Sequence, residues 1–208
     1  MKNLNIIDHP LIHHYLSRMR NAETAEFEFR LRLMQICHLM LFSITKDLPV
    51  KATKIPTPLE TAAFKVLDCD LVVVSILRAG LGMQEALMEL LPDAKVGHLG
   101  FFRNEETLQP VKYYAKLPKN LQTSIVLLAD PMLATGGSMN ASLDLLKEHG
   151  AQTIKCVTLL AAPEGVAAVQ KQHPDVEIFM ASLDRQLNDR GYILPGLGDA
   201  GDRQFGTQ

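Results

Sequence analysis

A mostly parallel, doubly wound α/β sheet is the fold this sequence predicts, on three observations. Short, largely apolar runs recur at Leu71 to Leu77, Val96 to Phe102, Ile125 to Ala129, Thr153 to Ala161 and Val176 to Ala181. A strand buried on both faces of a parallel sheet carries such a run, because helices cover both sides. Helical patterns alternate with those runs, as crossover units require. Two runs also pass straight into small-residue loops, Arg78 to Gly82 and Thr135 to Ser138, that open helices. Ligands of open sheets sit outside the carboxyl ends of the strands, so both loops fall where a site belongs.

Taken in order, His9-Pro10 precedes a helical pattern from Leu11 to about Arg20. A stronger one runs from about Glu23 to Asp47, with Phe27, Leu31, Met34, Cys37 or His38, Leu41 and Ile44 at helical spacing on one expected face. Pro49, Pro56 and Pro58 make the next stretch extended or looped, and a short helix is expected from Leu59 to Leu67. After the strand ending at Leu77, a helix should cover Gln84 to Leu91. Val96 to Phe102 ends in Arg103. Asn104 to Tyr114 is polar, acidic and proline-bearing, and reads as a long loop or loose hairpin; beside a phosphate site that length suits a lid. Helices follow over Met139 to His149, with Gly150 as a stop, and over Glu164 to Lys171. The segment from Gly191 onward is glycine-rich yet keeps Tyr192, Ile193, Leu194, Leu197 and Phe205. Those anchors argue for a folded flap over a disordered tail. The expected organisation is one domain over 1–208: N-terminal helices and an arm (1–60), the sheet core (61–182) and the flap (183–208).

Composition narrows the class. The 208 residues are 47% apolar and 21% charged, with a net charge of −2, an ordinary soluble enzyme with no advertisement of nucleic acid or an anionic membrane. Cys37, Cys69 and Cys156 are odd in number, widely spaced and in apolar surroundings, so they read as reduced core residues rather than disulfide or zinc ligands. The N-terminus lacks a signal-peptide core, and no apolar run approaches the roughly 20 residues a bilayer span needs. The expected location is the cytoplasm, with no membrane partner.

The chemistry gathers at strand ends. Asp130 closes the run Ile125 to Ala129, and Thr135-Gly136-Gly137-Ser138 follows it into a helix. Backbone N–H groups of such a loop and the helix N-terminus suit a phosphate. Arg78 and Arg103 end two further strands, and an arginine fork matches diphosphate oxygens. Together these favour a phosphorylated sugar or nucleotide. The common motifs do not fit. The lysine of a phosphate-binding P-loop is missing after Gly137, a dinucleotide fingerprint has only two of its three glycines at Gly80 and Gly82, and GxSxG is absent. Histidines at 9, 13, 14, 38, 98, 149 and 173 form no zinc-type pair of an HExxH helix.

The stretch Asp130-Pro-Met-Leu-Ala-Thr-Gly-Gly-Ser138 resembles the ribose-5-phosphate loop of type I phosphoribosyltransferases, in the variant with proline (Pro131) for the second acid. With Ile76 to Met83, Arg103 to Leu108, Ala161 to Gly165 and Tyr192 to Arg203 added, nearly the whole chain is similar to the uracil phosphoribosyltransferases. The resemblance implies the type I phosphoribosyltransferase fold with a C-terminal hood. It implies a glycosyltransferase of pyrimidine salvage that joins uracil to phosphoribosyl diphosphate (PRPP), giving UMP and diphosphate, with Mg²⁺ held mainly by the substrate. Asp130, Arg103 and Asp199 become the catalytic set. PRPP is assigned to Arg78, Arg103, Asp130, Pro131, Met132, Leu133, Ala134, Thr135, Gly136, Gly137, Ser138 and Asp199. Uracil is assigned to Ile193, Gly198, Asp199 and Ala200. A homo-oligomer is implied, and GTP, which activates some relatives, is a partner that no residue here decides. Ser75 and Gln109 depart from the residues expected there, proline and an acid. Two alternatives stand beside this reading: a PRPP- or nucleotide-binding regulator of the same fold without transfer, and a transferase for another base.

Overall fold

The computed structural model describes residues 3–103 and 110–207. In chain order its elements are β1 (Leu4–Ile6), α1 (Pro10–Arg20), α2 (Glu26–Ile44), β2 (Val50–Pro56), β3 (Thr61–Leu67), β4 (Asp70–Leu77), α3 (Leu81–Leu90), β5 (Lys95–Arg103) and β6 (Pro110–Lys116). A 3₁₀ turn leads into β7 (Ser124–Ala129), then β8 (Met132–Leu133), α4 (Gly137–Glu148), β9 (Thr153–Ala161), α5 (Pro163–Gln172), β10 (Glu177–Leu183), β11 (Gln186–Leu187), β12 (Ile193–Leu194) and α6 (Ala200–Phe205). The expected parallel sheet is present, in the order β1-β10-β9-β7-β4-β5-β6, with β8 continuing beside β9. Its pairs are parallel except β5 with β6.

Period-2 burial divides the core. Val73, Leu127, Ala129, Val157, Leu159, Phe179 and Ala181 face α1, α2 and α3. Their neighbours Val72, Val74, Val126, Leu128, Cys156, Ile178 and Met180 face α4 and α5. Burying each large side chain contributes about 1.5–3 kcal/mol, so both faces are needed to hold the sheet. One polar group is built into the first core. Lys155 on β9 is buried, and its Nζ donates to the Ile44 carbonyl at 2.9 Å and to Asp47 at 2.5 Å. It thereby caps the C-terminus of α2.

Three expectations need correction. Leu59 to Leu67 is no helix: Thr61–Leu67 is β3, paired antiparallel with β2 from Val50↔Leu67 to Pro56↔Thr61. Local spacing fitted a helix, but a non-local partner decided the state. The Thr57 hydroxyl accepts from the N–H groups of Leu59 and Glu60 and closes that hairpin. The buried face of α2 is also shifted. Phe29, Leu33, Ile36, Cys37, Met40, Leu41 and Ile44 are buried, while Phe27 and Leu31 are exposed. Apolar residues surround this helix on most sides, so spacing does not single out one stripe. Cys69, expected in the core, is only partly buried. The Leu4–Ile6 strand, which no expectation covered, pairs with the outer edge of β10.

The order of the sheet positions the site. The chain leaves β4 toward β5 and β6, then returns to the other side of β4 to build β7, β9 and β10. A crevice forms where the winding reverses, between the carboxyl ends of β4 and β7. Those ends carry the two small-residue loops. Ser75 pairs with Ala129, so Asp130 leaves the sheet at the level of Ile76.

Candidate active site

A cleft of about 500 Å³ opens at that switch point, lined among others by Arg78, Phe101, Phe102, Tyr113, Asp130, Met132, Ala134, Ser138, Tyr192, Ile193, Gly198, Asp199 and Ala200. An adjoining pocket of about 90 Å³ is made by Asp130 and residues Met132 to Met139. Asp130 belongs to both. Of the residues singled out from the sequence, Pro131 lines neither. Its carbonyl accepts from the N–H groups of Leu159 and Leu160 at 3.1 and 3.0 Å and ties the loop to β9. Arg103 ends β5, where it pairs with Pro110; residues 104–109 of the stretch expected to form a lid, Gln109 among them, lie outside the described residues. Ser75 is buried and donates to Gln84 Oε1 at 2.8 Å, away from the cleft.

The smaller pocket follows from the loop's conformation. Gly136, with φ +84°, is the cap residue of α4, and no side chain caps that helix. The Gly137 N–H reaches only the Thr135 hydroxyl, at a long 3.5 Å, so the start of the helix beside the pocket keeps much of its N–H charge available. Thr135 is exposed at the rim, and Ser138 lies in the first turn. The loop is pressed onto α5: a Cβ on Gly165 would stand 2.3 Å from the Ala134 carbonyl oxygen. Glycine at 165 is what permits that approach, and the sequence signalled it only through the Ala161 to Gly165 stretch.

Asp130 is under-satisfied. Burial pushes its carboxyl up to about 7, the Met132 N–H at 3.4 Å opposes the rise, and the charge of Asp199 adds to it. Two carboxylates that face one cleft with so little pairing are prepared for hydroxyl donors or a cation. Arg78, exposed beside them, is engaged. Its Nη2 lies 3.2 Å from Asp202 Oδ1 and its Nη1 3.5 Å from Thr207 Oγ1. The Leu77–Arg78 peptide is cis.

The flap wraps over the other end of the cleft. Its short strands β11 and β12 pair antiparallel, Gln186 with Leu194 and Leu187 with Ile193. Gly196 and Gly198 take φ of +64° and +82°, and Asp199 caps α6 by accepting from the Asp202 N–H at 2.9 Å. Several functional candidates were invisible to sequence reasoning. Gln204 is fully buried and donates to the carbonyls of Ala79 and Ala200, both at 2.9 Å. It thus links the β4 glycine loop to the flap. The aromatic wall of Phe101, Phe102 and Tyr113 comes from the β5–β6 ribbon, whose cleft-facing side no local pattern marks.

This combination of a reversed parallel sheet, an acid-bearing loop at a helix N-terminus and a hood places the chain among the type I phosphoribosyltransferases in fold. The adenine phosphoribosyl transferase structure from Trypanosoma brucei shares that fold at 13% identity, with a TM-score of 0.61 over 96% of this chain and 89% of that one. The AQ2163 protein from Aquifex aeolicus is nearer, 38% identical with a TM-score of 0.94 over 99% of both chains. A uracil phosphoribosyltransferase from Dictyoglomus thermophilum is 51% identical over 204 residues, 98% of this chain and 99% of that one. The family model for uracil phosphoribosyltransferase matches residues 6–207. The chain belongs to the uracil phosphoribosyltransferase family.

Proposed function

We infer that this chain transfers the phosphoribosyl group of PRPP to N1 of uracil, giving UMP and diphosphate. One observation carries the reading beyond family membership: Asp130 is shared by a phosphate-sized pocket and a larger cleft that reaches the flap. A ribose between a 5′-phosphate and a base needs that layout. The 5′-phosphate belongs in the small pocket, on the N–H groups of Thr135 to Ser138 and the hydroxyls of Thr135 and Ser138. Asp130 accepts from the ribose hydroxyls. Diphosphate lies toward Arg78, and Arg103 is assigned to it from the sequence resemblance. Uracil meets the backbone of Ile193, Gly198 and Ala200, whose groups match its acceptor–donor–acceptor edge. Cytosine offers a donor where uracil offers an acceptor, and a buried mismatch is costly.

In the reaction the bond from the anomeric carbon to N1 forms, and the bond from that carbon to diphosphate oxygen breaks. The diphosphate takes the electron pair, N1 loses its proton, and the carbon inverts. Charge develops on the ribose as an oxocarbenium ion, so positioning and fixed charge supply the rate. Asp130 and Asp199, two carboxylates lining one cleft, fit a Mg²⁺ ion as hard oxygen donors. The rest of its coordination is assigned to substrate oxygens and water, as is usual for Mg²⁺. When bound it would offset diphosphate charge; the chain's own part is to orient the ribose and exclude water. Among the described residues no helix is long and apolar enough to cross a membrane. A homo-oligomer in the cytoplasm completes the reading.

Incubation with PRPP, Mg²⁺ and a panel of bases tests it. UMP from uracil alone is expected; nucleotide from a purine instead, or no nucleotide at all, overturns it. A second measurement addresses Arg78. Arg78→Ala should raise the KM for PRPP about tenfold, in line with loss of a charge-assisted contact of about 1.5 kcal/mol. The uracil KM should stay near its original value. Equal shifts in both would reject the diphosphate role.

A further inference from the structure

We propose that Arg20 and Asp184 are a positioning pair that holds the uracil-reading backbone in register, an inference that rests on the assignment of uracil to the flap. Arg20 is the last residue of α1 and lines no part of the cleft. Its fork grips Asp184 at two points, Nη1 to Oδ2 at 2.7 Å and Nη2 to Oδ1 at 2.6 Å. The Asp184 side chain is 3% exposed and that of Arg20 24%. Such an enclosed, bidentate pair fixes geometry in a way a surface ion pair does not.

What the pair holds is one residue of the flap. The Gly196 N–H donates to Asp184 Oδ2 at 2.9 Å, and the Gly196 carbonyl accepts from Arg20 Nη1 at 2.8 Å. Both polar backbone groups of Gly196 are therefore held by the two side chains. Gly196 lies between Ile193 and Gly198, two of the backbone positions assigned to uracil. The turn is tight: a Cβ at 196 would stand 2.1 Å from the Ile193 carbonyl oxygen. A shift at Gly196 is thus transmitted to Ile193.

The opposite side of the turn is tied to the same helix end. Arg203 donates to the Leu197 carbonyl at 2.9 Å, to the Asn21 carbonyl at 2.6 Å and to the Met19 carbonyl, and lies 4.7 Å over the Phe29 ring. The carboxyl of Asp184 reflects its surroundings. Burial alone would raise it, but Arg20, the Gly196 N–H and the Ser182 hydroxyl outweigh burial and hold it below the usual range.

Backbone recognition has no side chain to substitute, so it depends on where the main chain is held; displacements of about 1 Å can cost two orders of magnitude. Arg20→Lys keeps the charge and loses the fork. Steady-state KM values for uracil and for PRPP, the kcat/KM ratio of uracil to cytosine, and thermal midpoints are measured for the parent, Arg20→Lys, Arg20→Ala and Asp184→Asn. The uracil KM is expected to rise about tenfold or more in Arg20→Lys and Asp184→Asn, with the PRPP KM within about twofold and the base ratio reduced. Should Arg20→Ala fail to fold, the other two decide. A folded Arg20→Lys with a parental uracil KM, or with both KM values raised together, overturns the pair's role. Loss of folding in both Arg20→Lys and Asp184→Asn assigns the pair to stability alone and also overturns it. A parent that forms no UMP refutes the function itself, a result separate from an active parent with unsplit variants.

Discussion

Asp130→Asn is expected to lower UMP formation about 10²–10³-fold, the scale of removing a preorganised group aimed at developing charge. The same change should leave the fold at least as stable. Both expectations come from one carboxyl. Asn keeps the size of the side chain but cannot carry the charge that the oxocarbenium-like ribose meets. The sign of the stability effect follows from the raised pKa. Folded Asp130 titrates near 7 rather than near 3.8, because burial disfavours its charge. Between those values the folded state binds the proton that the unfolded state has released. Stability therefore declines as pH rises from about 4 to about 7, then levels off. Without solvent in the cleft the shift from 3.8 to about 7 would be worth about 4 kcal/mol. Asp130 is only partly buried, so about 1–2 kcal/mol is expected.

The measurements are direct. Thermal midpoints at pH 5 and pH 8 should differ more for the parent than for Asp130→Asn, and the variant should melt higher at pH 8. Turnover at saturating uracil and PRPP should be lost at both. In the parent, the KM for PRPP should rise as pH falls from 8 to 6, because the ribose hydroxyls need the ionised acceptor. A variant with near-parental turnover would remove Asp130 from the chemistry. A stability gap that does not grow with pH would show that charging Asp130 carries no folding cost.

What could be read in the sequence depended on how local each cause was. β9 was legible end to end, because a strand covered on both faces shows a largely apolar run wherever its partners lie, here interrupted inside by Lys155 and Thr158. The phosphate loop was legible because Asp130, Thr135, Gly136 and Gly137 are contiguous and their backbone creates the pocket. The helix α6 was missed, although Asp199 three residues before Asp202 is a capping signature; the surrounding glycines masked it. β3 was misread because its partner, not its spacing, sets its state. The buried side of α2 was misread because α1, α3, α6 and β10 all pack against it. The Arg20–Asp184 clamp had no signal to find. Its members are 164 residues apart, and neither sits in a recognisable motif. Such residues become visible only once the fold brings them to the same turn.

Gly165→Ala should disable PRPP binding from a position whose added atom never touches the ligand. Two effects oppose each other. Gly165 lies within α5, where alanine is favoured over glycine by about 1 kcal/mol. The added Cβ would stand 2.3 Å from the Ala134 carbonyl oxygen and 2.8 Å from that of Leu133. Both contacts are backbone, so no side chain can rotate away. Leu133 is also pinned, since its carbonyl accepts from the Ala162 N–H at 2.9 Å and β8 pairs with β9. Strain therefore falls on Ala134 and Thr135, the entry to the phosphate pocket. Overpacking of this kind costs about 1–3 kcal/mol and outweighs the helical gain. A net loss of stability is expected, with the KM for PRPP raised at least about tenfold by displaced N–H donors. Thermal melts and initial rates over a PRPP series read both. An alanine variant as stable as the parent and with its PRPP KM would mean that the loop yields freely, and that its placement against α5 does not organise the phosphate pocket.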